Sequence, residues 1–67
     1  GQGVQRNTAR AIELFTQACE GGEMASCFQL GEFYAQGRGV ERDRERARGL
    51  FDRACRGGDE QACARLR

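Results

Sequence analysis

The sequence predicts an all-α protein, an α-solenoid of two helix-turn-helix units whose hairpins are stapled by disulfide bonds. Three observations support this fold class. Residues 1–31 align with residues 37–67, so the chain repeats itself at an offset of 36 positions, a length typical of helical-hairpin repeats. Apolar residues recur at helical spacing in both copies, and each copy contains one corner of the form Cys-x-Gly-Gly-x4-Cys. Units of this kind stack on their neighbours.

The repeat divides the chain into units. Unit one covers residues 5–40, unit two covers residues 41–67 and is truncated, and residues 1–4 are the end of a preceding unit. The sequence begins inside a motif and without an initiator methionine, so we interpret it as a fragment from the C-terminal end of a longer array. A chain of 67 residues forms one small domain at most, and such a small core usually needs disulfides, metal ions or neighbouring subunits.

The first helix of each unit follows a glycine-rich turn. The motif Gly-x-Gly-Val at residues 1–4 recurs at residues 37–40, and the polar residues Asn7 and Asp43 are good N-caps for the helices that follow. The predicted helices lie at residues 7–20, 24–36, 43–56 and 60–67. The predicted buried faces of the two first helices are Ala11, Leu14, Phe15 and Ala18, and Ala47, Leu50, Phe51 and Ala54.

The second helix of each unit begins after a Gly-Gly corner, because glycine readily adopts the left-handed conformation that commonly ends a helix. Its predicted buried face in unit one is Ser26, Leu30, Phe33, Tyr34 and Gly37. Gly31 is a predicted position of close helix contact. Phe28 falls off this face, so it either covers the neighbouring unit or is an exposed anchor.

The composition limits the functional classes. The net charge is only +1, which disfavours a strong electrostatic attraction to nucleic acid or membranes. The chain has no histidine and no lysine, which removes Ser-His and Cys-His dyads, Ser-x-x-Lys sites and P-loops. No apolar run approaches the length of a membrane span. We therefore expect no catalytic residue, no metal, no cofactor, no nucleic-acid partner and no membrane insertion.

The four cysteines form two equivalent pairs, Cys19 with Cys27 and Cys55 with Cys63. Each pair is equidistant from its corner, and equidistant positions of antiparallel helices face one another, so the Cα atoms can approach to the roughly 5.5–6 Å of a disulfide. Reduced, buried cysteines are the alternative. A four-cysteine zinc site is disfavoured, because Cys-x7-Cys is not the short spacing of structural zinc motifs. Disulfides would place the protein in an oxidising compartment, either periplasmic or secreted.

One set of small, apolar and turn residues defines the 36-residue pattern: Ala11, Phe15, Ala18, Gly22, Ser26, Leu30, Gly31, Tyr34, Gly37, Gly39, Val40, Asp43 and Ala47. This pattern resembles the Sel-one-like repeat, a relative of the tetratricopeptide repeat. The cysteine spacing is similar to that of the cysteine-rich, Hcp-like bacterial branch, in which each unit carries one disulfide within its hairpin. Two features depart from the pattern: Ser26 replaces the usual alanine, and Arg48-Gly49 stand where unit one has Ile12-Glu13.

The resemblance implies a non-catalytic scaffold, an adaptor or assembly module that binds a protein or peptide. In related solenoids the first helix of each unit lines the concave face. The partner-binding residues predicted on this basis are Arg10, Glu13, Gln17, Arg46, Gly49 and Arg53. Two alternatives are an enzyme of the penicillin-binding or β-lactamase type, as some relatives are labelled, and a structural spacer within a longer array. The charged residues 41–48 predict a solvated, salt-bridged helix start or, alternatively, an arginine-lined contact surface.

Overall fold

The computed structural model describes residues 2–67, with side chains described from residue 7 onward. Within this range the chain forms four α-helices and no strand: α1 (Gln2–Glu20), α2 (Met24–Gln36), α3 (Arg44–Arg56) and α4 (Glu60–Arg65). Each helix packs against the next one along the chain, so the hairpins α1–α2 and α3–α4 stack through α2 and α3. The predicted all-α fold of two helix-turn-helix units, each closed by a disulfide, is confirmed.

The first helix begins earlier than the sequence analysis predicted. Because α1 starts at Gln2, Asn7 lies inside the helix and is not its N-cap, and residues 2–4 are helical. The corresponding residues 37–40 form a turn because α2 ends there, with the Gly37 N–H donating to the Phe33 carbonyl at 2.8 Å. Gly1 and the side chain of Val4 lie outside the described residues.

The two corners close in the same way. The residue after each Gly-Gly pair donates its N–H to a carbonyl five residues earlier, Glu23 to Ala18 at 3.0 Å and Asp59 to Ala54 at 2.9 Å. The second glycine of each pair has a positive φ, 99° in unit one and 105° in unit two, a conformation that is costly for residues with a Cβ. The Asp59 carboxylate also caps α4 by accepting the Ala62 N–H at 3.0 Å.

The core lies mainly between α2 and α3. The ring of Phe28 packs on that of Phe51 with a centroid distance of 5.7 Å, and Phe28 is only 7% exposed. Of the two predicted roles for Phe28, the one adopted is therefore the covering of the neighbouring unit. Gly31 is buried beside the same Phe51 ring, which confirms its position of close contact. The buried cluster comprises Cys19, Cys27, Phe28, Ala47, Phe51, Ala54 and Ala62.

The residues predicted to form the buried face of each first helix are more buried in α3 than in α1. In α3, Leu50 is partly buried and the other three residues are buried. Leu14, the counterpart of Leu50 in α1, is instead 54% exposed, and the buried aliphatic residue of α1 is Ile12 at 8% exposure. The reason is tertiary: α2 packs against α3 on this face, whereas no helix in the described part of the chain covers the same face of α1. The prediction of a buried Leu14 is therefore wrong.

The predicted buried face of α2 is confirmed in part, and the predicted start of α3 is confirmed. Ser26 and Leu30 are buried, while Phe33 and Tyr34 are only partly buried. Gly37 is the C-cap of α2, with a φ of 69°. The predicted N-cap of α3 is confirmed, since the Asp43 carboxylate accepts the N–H of Arg46 at 3.0 Å. The charged residues 41–46 and Arg48 are exposed, but no ion pair joins them in the described part of the chain.

Candidate functional site

A cleft of about 270 Å³ opens between the two hairpins, with α1, α2 and α3 contributing to its walls. We call it the inter-hairpin cleft. The residues that line it are Thr16, Cys19, Glu20, Leu30, Tyr34, Arg46, Leu50 and Arg53. Because α2 packs against both α1 and α3, its residues Leu30 and Tyr34 form the base of the cleft, and Leu50 of α3 adds a further apolar surface.

Arg46 is held at the edge of this cleft by Tyr34. The guanidinium carbon lies 5.2 Å from the centroid of the Tyr34 ring, and Arg46 Nη1 donates to the Tyr34 hydroxyl at 3.2 Å. This hydrogen bond raises the pKa of Arg46 above its ordinary value, so the side chain is cationic at any physiological pH. The ring thereby restrains an exposed guanidinium that would otherwise sample many rotamers, and holds its charge beside the cleft.

Arg53 and Glu20 bring opposite charges to the two walls of the cleft. Both are exposed, and neither forms an ion pair with the side chains that the structure describes. Arg46 and Arg53 are seven residues apart on α3, which separates them by about 10.5 Å along the helix axis. Since guanidinium groups bind carboxylates in bidentate geometry, the α3 wall offers two spaced positions for acidic groups.

The six predicted partner-binding residues are all exposed, but no one cleft is lined by all of them. Arg46 and Arg53 line the inter-hairpin cleft. Gly49 instead lines a separate cleft with Glu45, Arg48, Asp52 and Leu66. The other three residues, which line neither cleft, are Arg10, Glu13 and Gln17 of α1.

Three polar residues that line the cleft were not among the predicted partner-binding residues: Thr16, Glu20 and Tyr34. Thr16 and Glu20 are at i and i+4 on α1 and flank the buried Cys19, so they lie beside the buried side of the helix. The spacing of Thr16 and Glu20 indicates that both lie near a packed side of α1. The position of α3 is needed to show that this side faces a cleft. The Thr16 hydroxyl also donates to the Ile12 carbonyl of its own helix at 2.6 Å.

A scan against protein-family models matched the Sel1 repeat at residues 1–23 and again at residues 25–59. The chain belongs to the Sel1 repeat family. Sel1 repeats are generally protein-interaction modules, and the family is generally non-catalytic. Neither a search of curated proteins nor a search of solved structures gave a match. Among the described residues, no helix combines the length and the apolar character needed to cross a membrane.

Each Sel1 unit of the chain carries one disulfide between its two helices. The Cα atoms of Cys19 and Cys27 and those of Cys55 and Cys63 are both 4.6 Å apart. The predicted pairing within hairpins is confirmed, and the reduced and zinc-bound alternatives are not adopted. The two bonds differ in burial, because Cys19 and Cys27 are 2% and 0% exposed, whereas Cys55 and Cys63 are partly exposed.

We expect the Cys55–Cys63 bond to be reduced before the Cys19–Cys27 bond. Exchange requires a thiolate to reach one of the disulfide sulfurs, and only the bond in unit two has partly exposed cysteines. Limited treatment with dithiothreitol, followed by alkylation and peptide mass spectrometry, should find Cys55 and Cys63 modified while the first pair is still linked. Equal rates of reduction, or reduction of the first bond ahead of the second, would contradict the difference in access.

The one serine of the chain is a packing residue. Ser26 is 7% exposed, and its hydroxyl donates to Glu23 Oε1 at 3.4 Å. It lies next to the bridged Cys27, in the first turn of α2. The described residues also contain no group of three or more side chains placed to hold a metal ion.

Proposed function

We propose that this Sel1 chain is a protein- or peptide-binding repeat scaffold, an adaptor or assembly module, whose partner docks on the first-helix side of the two units. The observation that carries the proposal is the inter-hairpin cleft, in which the apolar side chains of Leu30 and Leu50 lie beside Arg46 and Arg53. An apolar pocket next to arginines is typical of interface hot spots. The family's general role as an interaction module supports the same conclusion.

The spacing of the charges suggests the form of the partner. A peptide in the polyproline II conformation has three residues per turn, so residues three positions apart lie on the same side of it, about 9 Å from one another. This distance is close to the axial separation of about 10.5 Å between Arg46 and Arg53. Such a segment with two acidic residues three positions apart can therefore pair with both arginines, and an apolar residue between them lies next to Leu50. The exposed residues Arg10 and Gln17 of α1 extend this surface beyond the cleft.

We also propose that the scaffold is periplasmic or secreted and belongs to the cysteine-rich, Hcp-like branch of the family. Two observations support this: each unit has its own disulfide, and the described chain has no unpaired cysteine. Disulfides persist in oxidising compartments and are rare where glutathione and thioredoxin keep thiols reduced.

Selection from a random peptide library displayed on phage tests the binding function. Immobilised oxidised chain should enrich peptides in which acidic residues flank an apolar one. The triple charge reversal Arg10→Glu, Arg46→Glu and Arg53→Glu should abolish binding of the enriched peptides and leave the helicity measured by circular dichroism unchanged, because these three side chains are exposed.

The matched control is the triple variant Arg42→Glu, Arg56→Glu and Arg67→Glu. It changes the net charge equally, and none of these residues lines the inter-hairpin cleft. It should retain most of the binding. Equal loss in the two triple variants would mean that net charge, and not the cleft, determines binding, and the absence of any enriched peptide would favour a structural spacer.

A further inference from the structure

Tyr34 is fixed by both its backbone and its side chain at the junction between α2 and α3. Its carbonyl accepts the N–H of Asp43, the N-cap of α3, at 3.0 Å. The Asp43 carboxylate in turn accepts the N–H of Arg46 at 3.0 Å. The Tyr34 side chain is partly buried and packs against the core cluster. Its ring is therefore a fixed support within the lining of the inter-hairpin cleft.

The guanidinium of Arg46 completes this set of contacts from the side of α3. One of its faces lies over the Tyr34 ring, and Nη1 donates to the Tyr34 hydroxyl at 3.2 Å. A guanidinium carries five N–H donors in one plane. The edge formed by Nε and Nη2 donates to no atom of the described residues, and such an edge binds a carboxylate through two parallel hydrogen bonds. Arg46 therefore presents one carboxylate-binding edge in a fixed orientation.

Arg53, on the same wall of the cleft, has no such support. Among the described residues, no aromatic ring lies against its guanidinium and no carboxylate pairs with it. A long side chain that is immobilised only on binding loses conformational entropy at that step, which lowers affinity by about two- to tenfold. Arg46 is already restrained before a partner arrives, so it avoids most of this loss.

We infer that Tyr34 is a positioning residue that makes Arg46, rather than Arg53, the main carboxylate-binding position of the inter-hairpin cleft. The partner that this arrangement selects is a peptide with one obligatory acidic residue, which pairs with Arg46. A second acidic residue at Arg53 adds less. The inference rests on the proposed function, since it concerns the same cleft. Tyr34 acts through Arg46, so its contribution to binding disappears when the arginine is removed.

NMR titration of the ¹⁵N-labelled chain with the peptide acetyl-Pro-Glu-Leu-Pro-Glu-Pro-amide tests the inference. Its two acidic residues are three positions apart, and its prolines favour the polyproline II conformation. The wild type should show saturable shift changes centred on residues 46–53. Tyr34→Phe keeps the ring and loses only the hydroxyl, and it should bind about fivefold more weakly. Arg46→Ala should lower the affinity about fivefold more than Arg53→Ala does.

A double-mutant cycle separates positioning from a merely structural role of Tyr34. Added to Arg53→Ala, Tyr34→Phe should still weaken binding about fivefold, whereas added to Arg46→Ala it should cause no further loss. Equal losses in the two backgrounds, or wild-type affinity in Tyr34→Phe alone, would overturn the positioning role and leave the proposed function standing. A wild-type chain that shows no saturable shifts would instead contradict the proposed function, and the inference with it.

Discussion

Gly31→Leu should lower the melting temperature of the chain, because a side chain at residue 31 collides with the buried ring of Phe51. A Cβ at residue 31 would lie 2.7 Å from Phe51 Cε1 and 2.9 Å from its Cδ1, closer than side-chain carbons pack. The ring has little room to move, because Phe51 is 7% exposed and also packs against Phe28. Overpacking of this kind costs about 1–3 kcal/mol. In a domain of this size each kcal/mol corresponds to about 4–8 °C in melting temperature.

The matched substitution Gly49→Ala should have the opposite sign. Gly49 is exposed on α3, and apart from its chain neighbours and the backbone of its own helix no atom lies within 4 Å of the position that its Cβ would occupy. Alanine at a helical glycine stabilises by up to about 1 kcal/mol through backbone propensity. Thermal melts followed by circular dichroism compare the two variants. If Gly31→Leu melts like the wild type, the described contact between α2 and α3 is wrong.

Replacing Cys19 and Cys27 together with alanine should remove about 2.5 kcal/mol of stability on the chain-entropy model of disulfides. That is a large fraction of the about 5–15 kcal/mol that stabilises a typical protein. Both cysteines also belong to the buried cluster, so packing is lost together with the cross-link. The change should appear as a lower urea midpoint for the double variant.

The second disulfide supplies the control for this experiment. The Cys55–Cys63 bond closes a loop of the same length, with a sequence separation of 8 in both cases, so its entropic contribution is equal. Its cysteines are partly exposed, so their replacement should remove less packing. We expect the smaller loss in the variant with both Cys55→Ala and Cys63→Ala. A larger loss in that variant than in the first would contradict the role of burial.

Most of the fold follows from local patterns in the sequence. The spacing of Ala47, Phe51 and Ala54 predicts the buried face of α3, and Asp43 predicts its start, because both signals act within a single helix. The start of α1 was not predictable in this way, since Asn7 is a good cap only where the chain before it leaves the helix. The exposure of Leu14 likewise depends on which helix packs on α1, and the side-chain spacing within α1 carries no such information.

The lining of the inter-hairpin cleft was predicted only in part, because it also depends on which helices pack against one another. Arg46 and Arg53 were identified from their place on a first helix, and they do line the inter-hairpin cleft. Gly49 was placed with them because it lies between them along α3. In the folded chain, however, Gly49 lines a separate cleft that includes Leu66, the residue after α4. Glu20 and Tyr34 enter the cleft through the packing of two hairpins, a relation between residues that sequence spacing does not specify.

Amide hydrogen exchange of the oxidised chain, with and without an enriched library peptide, tests the central claim most directly. If the partner docks in the inter-hairpin cleft, the bound peptide should slow exchange at residues 16–20 of α1 and residues 46–53 of α3. The opposite surface, which is lined by Phe28, Gln29 and Glu32 of α2 and by Gln61, Ala64 and Arg65 of α4, should exchange as in the free chain. Protection confined to that α2–α4 surface, with no change at residues 46–53, would contradict the proposed binding site.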